Sequence, residues 1–341
     1  MLYPWGSVRN REKRAEWWKS SPLNRSTWRR RPKDVTNGFA FSRQMARAPE
    51  TARFLRRAAP AFFRGISREY SRESVPSLHH PDPKRWPDEG LHAAWLGHST
   101  VLLKLDGFTI LTDPVFSSRV GLGLGPLTVG IKRLVEVAAP VLKLPQIDLV
   151  LLSHAHMDHF DLPSLRQLEN RGTSVVTAAR TMDLLRPKRF AKVRELAWRE
   201  SVQMGPARIT AFEVVHWGAR MRSDIYRGFN GYLIETGRFR IVFGGDTAYT
   251  ESFAEIRSSR AVDLAIMPIG AYDPWIRVHC NPEQALSMAH QAGAEYILPV
   301  HHKTFQLGRE PCGEPIERLL TAAGSSPDRV CLREIGEEFH L

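Results

Sequence analysis

Cysteine is scarce in this 341-residue chain: Cys280, Cys312 and Cys331 are an odd number with no C-x-x-C pair. That excludes a disulfide framework and a thiolate zinc site, and predicts a reducing, cytoplasmic compartment. No stretch reaches the ~18 uncharged apolar residues of a membrane span, so no spanning segment is expected. The opening "MLYPWGSVRNREKR" lacks the apolar core of a secretory signal, so no leader is expected either. Internal repeats and low-complexity tracts are absent too, which argues against a repeat architecture. Net charge is missing from most of the chain: after residue 90, 28 basic side chains stand against 27 acidic ones.

The charge that exists is concentrated in residues 1–90, with 20 Lys and Arg against 9 Asp and Glu. There it alternates with aromatics, in "AEWWKSS", "STWRRRPK" and "ARFLRRAAPAFFRGIS". This mixture suits the anionic inner face of a membrane, where rings sit at headgroup level and cations meet lipid charge. The same mixture suits nucleic acid, or a strap that packs its rings on the main body and leaves its arginines in water. At 43% hydrophobic content the remainder is long enough for a full core. The organisation expected is a basic, aromatic-containing extension over 1–90 and one large domain over 91–341.

Within that domain, "HAAWLG", "VLLKLDG" and "FTILTD" read as a β-meander starting near Leu91. "IDLVLLS" reads as a buried strand, "DLPSLRQLEN" as a helix capped by Asp161, "SVVTA" as a strand and "RTMDLLR" as a helix. Four strand-like runs follow, "ARITAFEVVH", "FNGYLIET", "FRIVFGGD" and "VDLAIMPIG". "NPEQALSMAHQAG" carries a helix with Asn281 as cap, Pro282 at its first position and Gly293 as its stop, and "YILPVHH" closes the series as a strand. "VGLGLGPLTVGI", residues 120–131, lacks alternation and is rich in glycine, so it reads as a long loop with a helical continuation over the next residues. An uncharged apolar segment there, over 120–144, suits a hydrophobic substrate or lipid contact, or packing on the core.

The chemistry concentrates in "SHAHMDHFD", residues 153–161, directly after the apolar run "IDLVLL". Alternate residues of an extended segment point the same way about 6.6 Å apart. Two imidazoles, His154 and His156, can therefore converge on one metal at about 2.0 Å while Asp158 and His159 turn toward a second. Imidazole with carboxylate suits zinc, iron or manganese. Three further polar residues emerge where apolar runs stop: His216 after "ITAFEVV", Asp246 after "IVFGG" and His301 after "YILPV". Each alone is an ordinary capping or surface residue, but together with the cluster they form a set of seven.

The order H-x-H-x-D-H, His, Asp, His resembles the metallo-β-lactamase superfamily of binuclear metal hydrolases. More narrowly, "WLGHST", "TDPVFSSR", "SHAHMDHFD", "FGGDTAY", "MPIGAYDP" and "HCNPEQA" resemble the N-acylphosphatidylethanolamine-hydrolysing phospholipase D branch and its bacterial relatives. The resemblance implies an α/β fold, a four-layer αβ/βα sandwich with the site at one edge of its two sheets. It implies two Zn2+, or iron or manganese, one on His154, His156 and His216 and the other on Asp158, His159 and His301, with Asp246 as the bridge. It departs from the branch in "HHKTF", where the mammalian phospholipases have tryptophan and glycine after the ligand histidine. His302 therefore stands as an alternative to His301, and Lys303 adds a cation that suits a phosphate or carboxylate.

Two such cations lower the pKa of a bridging water and clamp the attacking and leaving oxygens of a displacement. Asp158 and Asp246 are then the catalytic carboxylates, and His279, Tyr272 and Lys303 are substrate-binding candidates. His98 and Asp113 are placed to orient ligands, to cap turns or to touch substrate. The function expected is a phospholipase D type phosphodiesterase acting on N-acylphosphatidylethanolamine-like or other lipid diesters. The alternative is a lactonase or carbon-ester hydrolase on the same centre, and a non-catalytic scaffold has no chemical need for seven such residues. Partners expected are a small-molecule or phospholipid substrate and peripheral membrane contact through 1–66 and 120–144. No nucleic acid is expected, because neither the substrate-clamping insert nor the RNA-binding arm of the superfamily's nucleases is seen, and a homodimer is left open.

Overall fold

The computed structural model describes residues 73–124, 127–221 and 223–341. The membrane contact expected of 1–66, and all but the end of the extension expected over 1–90, lie outside the described residues.

β1 (Leu91–Gly97), β2 (Thr100–Leu105) and β3 (Phe108–Thr112) form the expected antiparallel meander. A hairpin, β4 (Arg119–Leu124) and β5 (Leu127–Lys132), stands apart as its own two-stranded sheet. β6 (Leu149–Leu152), the short helix α1 (Leu162–Gln167), β7 (Ser174–Ala178) and β8 (Lys192–Leu196) come next, with β6, β7 and β8 added in parallel beside β3. The chain then builds a second sheet from β9 (Ser201–Met204), β10 (Ala207–Phe212), β11 (Gly231–Glu235), β12 (Arg240–Phe243) and β13 (Val262–Pro268). Helix α2 (Pro282–Ala292) leads into its last strand, β14 (Ala294–Val300), and helix α3 (Glu314–Ala323) follows. Finally β15 (Glu338–His340) returns to pair with β1 at the edge of the first sheet.

The parallel strands of the second sheet, β12 to β14, are largely buried on both faces, which is why they are apolar runs without polar alternation. Ile241 and Phe243 of β12, Leu264 and Ile266 of β13, and Leu298 and Val300 of β14 point into one core shared with Leu102, Leu111, Val150 and Leu151 of the first sheet. Val242, Ala265, Met267 and Ile297 point the other way, onto Ala285, Met288 and Ala289 of α2 and Leu319 of α3. This is the αβ/βα sandwich expected from the sequence. α2 starts on a capping box in which Asn281 accepts from Gln284 N at 2.9 Å, and it ends at Gly293 with φ of 78°. Asp161 stands at the cap position of α1, but its carboxylate accepts from the Ser117 and Ser164 hydroxyls and not from a helix amide.

Three local expectations are corrected. Residues 120–131 are a hairpin and not a loop, and the only helical piece described over 133–144 is a single 3-10 turn, Val141–Lys143. The glycines are the reason: Gly121 and Gly130 face each other across the ladder, and a Cβ on either would lie 2.2 Å from Val129 O or 2.0 Å from Val120 O. The strands approach so closely there that only glycine fits. "RTMDLLR" likewise makes only the 3-10 turn Met182–Leu184. The described chain ahead of Leu91 is already attached to the domain, with Val75 bridged to Val135 and Ser77 Oγ donating to Ile335 O at 2.8 Å.

Candidate metal centre

The histidine cluster starts where β6, buried along its whole length, runs out of ladder partners. Asp113, just past the end of the neighbouring β3, holds this junction. Its carboxylate accepts from Ser153 N at 2.7 Å, Ser153 Oγ at 2.5 Å and His159 Nδ1 at 2.6 Å. One buried anion thus secures both the entry to the loop and its last histidine. Between them the chain turns tightly, with His159 N and Phe160 N both donating to His156 O. Asp246 follows β12 through a turn that needs glycine: Gly245 has φ of 57°, and a Cβ there would sit 2.8 Å from Asn230 O and from Ser153 Cβ.

All seven residues expected as ligands are brought together. His154 Nε2 lies 2.8 Å from His156 Nδ1, and His216 Nε2 lies 3.2 Å from the same atom. Beside this trio, Asp158 Oδ2 is 3.5 Å from His159 Nε2 and 3.6 Å from His301 Nε2. Asp246 Oδ2 stands between the two groups, 3.1 Å from His159, 3.2 Å from His301, 3.7 Å from His216 and 3.9 Å from His154. Both groups have their donor atoms close enough together to hold a metal ion.

The donor set fits cations. His159 Nε2, His301 Nε2 and Asp246 Oδ1 are buried without a hydrogen-bond partner among the described residues. Buried polar atoms are rarely left so, and a metal ion would satisfy all three. Burial, reinforced by neighbouring imidazoles, holds His154 well below its usual pKa, so its lone pair is free; burial does the same for His216. Burial would push Asp158 and Asp246 up, but His159 and the other rings outweigh it and keep both carboxylates ionised. Burial would likewise push His159 and His301 down; their carboxylate partners prevail, raising His159 well above its usual value and His301 to about 9. The anionic pair calls for positive partners, which either protons on these two rings or a cation can supply.

His301 and His302 are separated clearly. With φ of 65°, His301 turns its ring to Asp246, whereas His302 stacks on Trp95 at 4.6 Å. His279 joins the cluster, its Nδ1 3.9 Å from Asp246 Oδ2 and its ring 5.0 Å from that of His216. Two other substrate candidates face elsewhere. The Tyr272 hydroxyl donates to Glu314 Oε1 at 2.8 Å, and the Lys303 ammonium is engaged by Glu334 and the Arg333 carbonyl. His98, read from the sequence as an orienting or capping residue, bonds Asp158 Oδ2 at 3.0 Å and packs on His301 at 4.2 Å. Trp217 was not singled out; it stacks on His216 at 4.7 Å and meets the edge of His156 at 4.8 Å. Its only sequence signal is its place next to His216.

A family model described as the beta-lactamase superfamily domain matches residues 109–302. An uncharacterised protein of Mycobacterium tuberculosis is 35% identical over 265 residues, covering 74% of this chain and 70% of its own length. An N-acyl-phosphatidylethanolamine-hydrolyzing phospholipase D of Caenorhabditis elegans is 30% identical over 290 residues, covering 75% of this chain and 80% of its own. Among solved structures, Igni18, a metallo hydrolase of the archaeon Ignicoccus hospitalis, superposes with a TM-score of 0.57 at 20% identity, over 74% of this chain and 99% of that one.

Proposed function

The chain belongs to the beta-lactamase superfamily, whose members include metal-dependent hydrolases, and we propose that it is a binuclear phosphodiesterase acting on lipid-like diesters. The observation that carries this reading is the apolar rim on the two loops that bear His216 and His279. Trp217, Met221, Ile225 and Tyr226 on one loop, and Trp275 and Ile276 on the other, are large hydrophobic side chains left exposed. The loops adjoin, because His216 Nδ1 bonds Val278 O at 2.9 Å. Exposed apolar side chains on two adjoining loops that carry site histidines mark a hydrophobic ligand or surface. The phospholipase D relative supports the diester as the bond cleaved.

In this reading His154, His156 and His216 would hold one cation and Asp158, His159 and His301 the other, with Asp246 near both groups. When bound, two such ions supply Lewis acidity and a nucleophilic water at neutral pH. Asp158 is the more open carboxylate, its side chain 16% exposed against 1% for Asp246, so it is the group that accepts a proton from the attacking water. His279, whose Nδ1 has no hydrogen-bond partner among the described residues, offers one further contact to a phosphoryl oxygen. Peripheral membrane contact through 120–144 is part of the proposal, supported by the exposed Leu122 and Leu142. No helix among the described residues is long and apolar enough to cross a membrane.

The test is metal analysis of the purified protein together with turnover of bis(p-nitrophenyl) phosphate, an N-acylphosphatidylethanolamine and a panel of lactones. Two zinc, iron or manganese ions with diester cleavage support the proposal. Lactone turnover without diester cleavage would replace it by the carbon-ester reading.

A further inference from the structure

We propose that Arg220 is a positioning residue that clamps the ligand loop 154–160 in its metal-ready shape; the inference rests on reading the cluster as a metal centre. Arg220 Nη1 donates to Ala155 O at 3.1 Å and to Phe160 O at 2.7 Å. Ala155 directly follows His154 and Phe160 directly follows His159, so one nitrogen holds the two ends of a segment that contains three of the seven ligand residues, with His154 one residue before it. Both carbonyl-bearing residues are buried. Beyond the tight turn onto His156 O, this segment has little backbone bonding of its own to set its curvature.

The clamp also couples the two sheets' contributions. Arg220 stands four residues after His216, so the loop delivering the third histidine of the first group fixes the segment delivering the other two. That loop has a firm base. Asp224 receives Met221 N and Arg227 Nε, both at 2.6 Å, and Arg227 Nη1 reaches Asp183 Oδ1 and Arg180 O, also at 2.6 Å. A planar guanidinium can hold two carbonyls in a defined relation, and its charge persists where burial lowers its pKa. Partners of this outer kind are worth roughly 10–100-fold in metal affinity.

The test is titration of the metal-stripped full-length protein with zinc against a chromophoric chelator, and with cobalt(II) to record its visible ligand-field band. Arg220→Met is expected to remain folded by circular dichroism, to bind roughly 10–100-fold more weakly, and to shift the cobalt band. Arg220→Lys, whose ammonium also donates to two carbonyls, is expected to recover most of the affinity. Asp183→Asn loosens the base of the loop and is expected to lower the melting temperature without moving the band. Where Arg220→Met does not fold, Arg220→Gln, too short to span both carbonyls, is measured in its place with the same two readings. Unchanged affinity and an unchanged band in the Met or Gln variant overturn the clamp, as does an equal band shift in Asp183→Asn. No metal uptake by the wild-type protein overturns the metal centre itself, and the clamp with it.

Discussion

Asp113 and His159, 46 residues apart in sequence, form a 2.6 Å hydrogen bond between two fully buried side chains. The bond occupies Nδ1 of the imidazole and leaves Nε2, which has no hydrogen-bond partner among the described residues, facing Asp158 and Asp246. The carboxylate therefore sets which nitrogen of His159 is offered to a cation.

Asp113→Asn should weaken metal binding by roughly 10–100-fold, because an amide turns an N–H toward a ring nitrogen that needs an acceptor. Ser153 N and Oγ also lose part of their acceptor, so stability should fall by about 1–3 kcal/mol. Zinc titration and chemical denaturation of the same preparation separate the two effects. Wild-type affinity in the variant would remove Asp113 from the site.

His301→Ala and His302→Phe should part company. The first removes a nitrogen 3.2 Å from Asp246 Oδ2 and should cost at least one bound metal ion. The second keeps a ring on Trp95 and should retain the wild-type metal content. Elemental analysis of the two variants decides it, and metal loss in His302→Phe alone would reverse the assignment.

Stability should depend on acid pH through Arg227. Its hydrogen bond, ahead of any other cause, holds the Asp183 carboxyl below its usual value of 3.8. Burial would raise Asp224, but Arg227 outweighs it and that carboxyl is lowered too. Groups depressed in the folded state stabilise it above their unfolded value near 3.8 and cease to do so as pH falls through the folded value. Arg227→Met should therefore be less stable than wild type by roughly 2 kcal/mol at neutral pH, a figure discounted because the Asp183 side chain is 62% exposed. The gap should narrow below about pH 4. Urea melts at pH 7 and pH 3 measure it, and a gap that widens in acid would refute the assignment.

Gly130→Val should break the β4–β5 hairpin locally, since its Cβ would fall 2.0 Å from Val120 O. Amide exchange over 119–132 should accelerate while metal content stays at the wild-type level. Unchanged protection would mean that the close approach at this pair is not needed.

The clustered donor residues were legible in the sequence because His154, Asp246 and His301 each come shortly after an apolar run, and strand ends are where a sheet releases side chains into one edge. His154 after β6, Asp246 after β12 and His301 after β14 all obey this rule. Helix α2 was legible for a local reason as well, its cap, proline and terminal glycine lying within thirteen residues. The hairpin over 119–132 was not, because its glycines lower strand propensity and are tolerated only where another glycine stands opposite, which is a matter of register. Tyr272 and Lys303 carry suitable chemistry, yet they pair with Glu314 and Glu334, partners at least 31 residues away. The sequence by itself determined the donor chemistry and the strands that present it. Tertiary structure alone decided the aim of each side chain: left-handed backbone at His98, Asp113 and His301 turns these residues to their partners, and those partners are supplied by packing two sheets together.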